Sequence, residues 1–223
     1  GRIHRAEVGA SGTQEVIAEV EGGLAGWGRI TVRDGLVFWA MADTEGVWLA
    51  NADGSSSTPT MIAEAPVPYG IAVDDTHVYW SERGFDDEPT GKIRRLARID
   101  IGTPAGPDTL ETQEDRPSEI ALDETHVYWV TDGGSVSRIV KDGSSPMEDL
   151  SIEEHEPAGI RVDDVFVYWT DPQDMAVRKV RKDGSGYTEV VQLTDGVFPL
   201  GLDQDCDTLY FTADDLNVRL VTK

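Results

Sequence analysis

The chain has 223 residues, with 42 acidic side chains against 19 basic ones and a formal net charge of −23. A polyanion of this strength repels nucleic acid and anionic lipid head groups, so a basic protein surface, a small cationic ligand or a divalent cation is the better-matched partner. No run approaches the ~18 consecutive apolar residues of a membrane-spanning helix, and the single Cys206 excludes an internal disulfide and a Cys-based zinc site.

In chain order, residues 1–26 carry no basic-then-apolar leader, so a signal peptide is expected only outside these residues. Ile3-His4-Arg5-Ala6 and Glu15-Val16-Ile17 read as the third and fourth strands of a four-stranded unit. Unit 27–67 closes its second strand on Phe38-Trp39, unit 68–116 on Tyr79-Trp80, unit 117–156 on Tyr128-Trp129, unit 157–198 on Tyr168-Trp169, and 199–223 on Tyr210-Phe211. The second aromatic of these pairs advances by 41, 49, 40 and 42 residues, and a period of about 40–45 with several short strands per repeat is the signature of a propeller blade. Each blade reads as strands A to D. Strand A is of the Ile71-Ala72-Val73 type and B of the Val78-Tyr79-Trp80 type, joined by an Asp-rich turn such as Asp74-Asp75-Thr76-His77. Strand C is of the Val177-Arg178-Lys179-Val180 type and D of the Thr188-Glu189-Val190-Val191 type, joined by Asp53-Gly54, Asp142-Gly143 and Asp183-Gly184 hairpin signals.

The expected fold is therefore an all-β propeller of four-stranded blades forming a single domain over 1–223. Five blades are the simplest reading, with a strand from residues 1–26 completing the blade that 199–223 begins, because mixing strands from both ends removes open sheet edges. A fragment of a six-bladed or larger ring is the alternative. His77 and His126 occupy the same turn position of two blades and read as scaffold residues. Asp203-Gln204-Asp205-Cys206-Asp207 imitates the start of a calcium loop but has Thr208 where that loop needs Gly.

The Tyr168-Trp169-Thr170-Asp171 tetrapeptide and its degenerate copies resemble the YWTD propellers of the low-density lipoprotein receptor class, and the Lys-Asp-Gly-Ser turns resemble those of bacterial secreted or surface-attached relatives. The resemblance implies a β-propeller outside the cytoplasm that works by binding rather than catalysis, with no resident cofactor. The six blades and flanking disulfide modules usual in the receptor class are not visible, so no receptor ligand residue carries over.

Functional residues are expected where the repeats disagree. The B-to-C and D-to-A loops of a propeller share one face, and here they are rich in acids: Asp43, Glu45, Glu64, Asp115, Asp132, Glu153, Glu154, Glu156, Asp171, Asp174, Asp195, Asp214 and Asp215 among them. On strand A the aligned positions read Arg29, Gly70, Glu119, Gly159, Gly201 and Thr31, Ala72, Ala121, Arg161, Asp203. Charged residues are seldom placed inside unless paired, so Arg29, Glu119, Arg161 and Asp203, flanked by Trp27, Tyr69 and Phe198, form the expected ligand-binding set. The loop Arg83 to Gly91 is a second recognition element and accounts for the 49-residue spacing. A divalent cation such as calcium suits the acidic rim, without identifiable ligands. An alternative is a metal-dependent hydrolase or lyase at the channel mouth, since lactonases resembling the gluconolactonase group hold a metal there through a carboxylate and an Asn. Glu119 and Asp203 would supply carboxylates, but Asn51 and Asn217 both fall in strand-C regions.

Overall fold

The computed structural model describes residues 2–5, 15–19, 28–55, 58–84 and 89–223, and their regular structure is almost entirely antiparallel β-sheet. A two-stranded sheet pairs β1 (Arg2–Arg5) with β2 (Glu15–Glu19). Four-stranded sheets follow, each with its strands in chain order. The first contains β3 (Ile30–Arg33), β4 (Leu36–Met41), β5 (Gly46–Asn51) and β6 (Thr60–Glu64), and the second contains β7 (Pro68–Val73), β8 (His77–Glu82), β9 (Gly91–Ala97) and β10 (Asp108–Glu114). The third contains β11 (Pro117–Leu122), β12 (His126–Thr131), β13 (Val136–Val140) and β14 (Glu148–Ser151). The fourth contains β15 (Ile160–Val162), β16 (Phe166–Asp171), β17 (Ala176–Arg181) and β18 (Thr188–Gln192). A three-stranded sheet of β19 (Pro199–Gln204), β20 (Thr208–Ala213) and β21 (Val218–Thr222) closes the series.

Residues 2–5 and 15–19, read as the third and fourth strands of a unit, pair as the hairpin β1–β2. Cross-strand ion pairs brace this hairpin: Arg2 meets Glu19 at 2.9 Å and Arg5 meets Glu15 at 2.7 Å. The same hairpin buries Ile17 and Ala18 against Val37, Trp39 and Ala50. The extra length of the 68–116 repeat is also shared between two connections, Arg83–Thr90 and Arg98–Pro107, and does not lie in the first alone. Phe85, Asp86, Asp87 and Glu88 fall outside the described residues.

The chain divides into two compact units, residues 1–82 with 94–109 and residues 83–93 with 110–223. Within the first, Phe38, Val47, Ile71, Val78, Trp80 and Leu96 pack into one apolar cluster. Within the second, Trp169 packs with Tyr128, Val130, Val136 and Ile160, whereas Tyr168 packs with Leu202, Leu209 and Phe211. Neighbours on a strand point to opposite faces, so one aromatic pair fastens its sheet to the sheets on both sides. Trp129 and Trp169 are fully buried, and burying such a side chain is worth roughly 1.5–3 kcal/mol or more.

The Asp-rich A-to-B turn is built from the repeat as well. Asp123 Oδ1 accepts the backbone N–H groups of Thr125 and His126, both at 2.7 Å, and its Oδ2 accepts the Tyr128 hydroxyl at 2.8 Å. Asp74, Asp163 and Asp205 repeat the pattern with Tyr79, Tyr168 and Tyr210. Burial first, and the facing carboxylate second, push the Tyr128 and Tyr168 hydroxyls well above the usual phenol range. In the C-to-D turns Gly143 and Gly184 have φ of 72° and 80°, a region glycine enters without a Cβ clash.

Candidate functional site

Three strand-A residues of the second unit meet. Arg161 on β15 reaches Glu119 on β11 through Nη1 at 3.0 Å and Asp203 on β19 through Nε at 3.3 Å. Its Nη1 also donates to its own neighbour's carbonyl, Ile160 O, at 2.7 Å. Glu119 is buried, whereas the Asp203 side chain is 79% exposed, so the guanidinium links an inner carboxylate to a solvent-facing one.

The other residues of the expected set are placed differently. Arg29 lies in the first unit with Tyr69, its guanidinium carbon 5.2 Å from the ring centre and its backbone N–H donating to Tyr69 O at 3.0 Å. Phe198 stands before β19, 40% exposed, with its N–H held by Asp214 Oδ1 at 2.9 Å. Trp27 lies outside the described residues.

A second charged centre, which the repeat pattern did not single out, sits at the loop end of the β15–β18 sheet. Arg178 on β17 donates to Glu154 Oε2 at 2.6 Å, to Asp171 Oδ2 at 2.8 Å and to Asp174 Oδ2 at 2.6 Å. His155 Nδ1 lies 2.8 Å from Asp174 Oδ1, and the backbone N–H groups of His155 and Asp174 both donate to Asp171. The hydrogen bond between them raises the His155 pKa and lowers that of Asp174. Burial opposes the charge on Arg178, yet the carboxylates of Asp174 and Glu154 hold its pKa above the usual guanidinium range. His155, Asp171 and Asp174 each bring a ligating atom within 4.8 Å of the others. The signal available in the sequence was the register: Arg178 lies opposite Trp169 on the neighbouring strand, and Glu154 accepts that indole N–H at 3.1 Å.

The preceding sheet repeats this centre without its cation. Trp129 donates to buried Glu114 at 2.8 Å, but the residue opposite Trp129 is Ser137. Ser137 Oγ turns instead to Asp149 Oδ1 at 2.7 Å. Burial, with Glu111, Asp149 and Asp115 nearby, outweighs the Trp129 bond and pushes the Glu114 carboxyl up to about 7.

The loops around these residues are tied at one edge of each sheet. Within the second unit, Asp132 N–H donates to Arg116 O, Glu154 N–H to Gly134 O and Leu193 N–H to Met175 O. A Cβ on Gly134 would lie 2.1 Å from Glu154 O, so glycine is what lets those two loops touch. Arg116 at 3.2 Å, and Arg83, both pair with Asp132. Asp115, Glu153, Glu156, Asp195, Asp214 and Asp215 stay exposed on the same loops.

No protein-family profile and no curated protein matches the sequence. Solved structures do match. A chain of the nidogen/laminin complex superposes with a TM-score of 0.73 at 17% identity, covering 94% of this chain and 80% of that one. The H270A virginiamycin B lyase of Staphylococcus aureus with quinupristin gives 0.73 at 13% identity, covering 96% and 75%. A putative gluconolactonase gives 0.61 at 13% identity, covering 90% and 79%. All three are propellers, and the six antiparallel sheets of this chain match that architecture. The chain is a β-propeller. Relatives of this shape include both a protein-binding complex and enzymes, so the fold by itself assigns no chemistry to the propeller.

Proposed function

We propose that this propeller is a non-enzymatic binding scaffold of the YWTD type that presents acidic loops to a basic protein surface or a small cationic ligand, and that it works outside the cytoplasm. The observation that carries the reading is the division of its charge. Carboxylates drawn into the interior are mostly neutralised by arginine: Glu119 by Arg161, and Glu154 and Asp171 by Arg178. The acids left on the loops are exposed, and they account for much of the net charge of −23. Carboxylates saturated by internal guanidinium groups are poor metal ligands and poor general bases, whereas exposed ones attract a cationic partner over a Debye length. The nidogen/laminin complex among the structural relatives supports a protein as that partner.

The test is binding of a fluorescent oligo-arginine peptide beside a Gly-Ser peptide of equal length, from about 0.05 to 0.5 M salt. Binding of the basic peptide alone, falling steeply with salt and weakened in a Glu153→Gln/Glu156→Gln/Asp195→Asn variant, is expected. Equal binding of both peptides, or affinity indifferent to salt, refutes the proposal.

The reading as a metal-dependent hydrolase or lyase is weakened at Glu119 and Asp203, where Arg161 already takes the position a cation would need. One observation favours it elsewhere, the convergence of His155, Asp171 and Asp174. Broadening of the His155 resonances by Mn²⁺ at micromolar concentration would move the assignment there. Unchanged resonances leave Arg178 as the resident cation of that centre.

A further inference from the structure

Among the described residues, three fully buried tryptophans donate their indole N–H to a buried carboxylate, and two of those carboxylates have an arginine of their own. In the β7–β10 sheet, Trp80 donates to Glu82 at 3.1 Å and Arg94 on β9 reaches the same carboxylate at 3.4 Å. In the β15–β18 sheet, Trp169 donates to Glu154 at 3.1 Å and Arg178 on β17 joins it at 2.6 Å. In the β11–β14 sheet, Trp129 donates to Glu114 Oε2 at 2.8 Å, and no lysine or arginine pairs with that carboxylate among the described residues.

The third strand makes the difference. Arg178 and Ser137 hold the same place, opposite Trp169 and Trp129, and the fourth strand sets an acid beside each, Glu189 and Asp149. Arg178 extends from its strand to the loop end of the sheet, where it meets Asp171 and Asp174. Serine stops after one carbon. Small hydroxyl groups stand there instead, Thr131 Oγ1 at 2.9 Å from Ser135 Oγ and Ser135 Oγ at 3.2 Å from Ser137 Oγ, while exposed Asp149 accepts from Ser137 at 2.7 Å. Glu114 is only 6% exposed, and its Oε1 has no donor among the described residues. A buried carboxylate oxygen left without a donor is costly, and Glu111, Asp149 and Asp115 add negative charge around it.

We propose that the Glu114 centre is a receptor for one guanidinium group supplied by a ligand, either the arginine side chain of a partner or a free guanidino compound, which takes the place Arg178 takes in the next sheet. The class of cation has its precedent inside the chain, since both sister carboxylates hold a guanidinium and neither holds an ammonium. A guanidinium is planar, always charged and donates through five N–H groups in a fixed fork. Glu114 Oε1 and the Asp149 carboxylate supply the opposite charge, the hydroxyl oxygens of Ser135 and Ser137 accept further N–H groups, and Trp129 keeps Glu114 Oε2 in position. This centre is separate from the exposed loop acids Glu153, Glu156 and Asp195. With a singly charged probe and a local readout it stands or falls independently of the oligo-arginine binding those acids are expected to give.

The experiment titrates methylguanidinium, and separately N-acetyl-arginine amide, into the full chain at constant ionic strength and about pH 8, where Glu114 is ionised. The readout is the indole N–H resonances of Trp80, Trp129 and Trp169. A saturable shift of the Trp129 resonance alone, half complete at millimolar ligand, is expected. A response to both ligands supports a partner's arginine as the source, and a response to methylguanidinium only supports a free guanidino compound. Methylammonium binds at least roughly threefold more weakly, because it lacks the planar fork. Below about pH 7 the affinity falls roughly tenfold for each pH unit as Glu114 takes up its proton. Glu114→Gln abolishes the shift. Ser137→Arg abolishes it too, by supplying the guanidinium from within, and lowers the pH midpoint of the Trp129 resonance. No saturation by about 100 mM, an equal response to methylammonium, the three indoles shifting together, or binding retained in Glu114→Gln overturns the proposal. A folded Ser137→Arg chain that still binds overturns it equally.

Discussion

Glu114 and Glu154 perform the same task, accepting an indole N–H, in two consecutive sheets. Only Glu154 has a guanidinium beside it, and this difference sets the sign of one substitution. In the unfolded chain the Glu114 carboxyl ionises near its ordinary 4.5, and in the fold it ionises near about 7. The gap corresponds to roughly 3 kcal/mol, at about 1.4 kcal/mol for each tenfold change. An acid with a raised pKa holds its proton longer in the folded state. Its penalty is therefore absent below about pH 4.5, grows as pH rises, and levels off above about 7. Glu114→Gln keeps an oxygen for Trp129 and removes the charge. The variant is expected to match the parent chain near pH 4 and to exceed it by about 3 kcal/mol at pH 8, some 6–12 °C in Tm for a domain of this size. Urea unfolding at steps of half a pH unit measures the difference. Parallel stability curves for parent and variant from pH 5 to 8 refute the reasoning. Glu154→Gln supplies the opposite sign, since it takes a carboxylate from Arg178 and is expected to cost about 1–3 kcal/mol at neutral pH.

Other expectations follow from the same geometry. Arg161→Met leaves buried Glu119 without its cation and is expected to destabilise by about 1–3 kcal/mol, most of it recovered in Arg161→Met/Glu119→Gln; a double-mutant cycle with no coupling contradicts the pairing. Tyr168→Phe removes the donor to Asp163 Oδ2, a bond of 2.9 Å, and is expected to cost about 1–2 kcal/mol in chemical denaturation. The His155 ring titrates above the ordinary histidine value because of Asp174. Its contribution to stability is full at acid pH and fades as pH rises through that raised pKa, and an NMR titration of Asp174→Asn should show the midpoint falling.

The repeated aromatic pair was legible as architecture from spacing alone, because Tyr and Trp adjacent on a strand must face opposite sides and each needs a covering sheet. The Asp-x-x-x-x-Tyr turn was legible in the same way, as a local device closed within six residues. Arg161, Glu119 and Asp203 were identifiable because three copies of strand A depart from small residues at aligned positions. Their mutual pairing was not, since it depends on which strands lie side by side. The His155–Arg178 centre escaped notice for a related reason: its members come from a D-to-A loop, a B-to-C loop and strand C, and none departs from the repeat by itself. The β1–β2 hairpin was legible as well, because its ion pairs join residues only ten and seventeen apart and close a short loop.

The sequence by itself determined the period, the strand order within each sheet, the turns and the excess of acid, since all of these are set by neighbours in the chain. Tertiary structure alone decided which charges cancel and which do not. Whether a carboxylate is neutral, paired or exposed depends on the residue opposite it on another strand. An arginine there pairs with Glu154, and a serine in the same place leaves Glu114 without a cation and with its pKa raised.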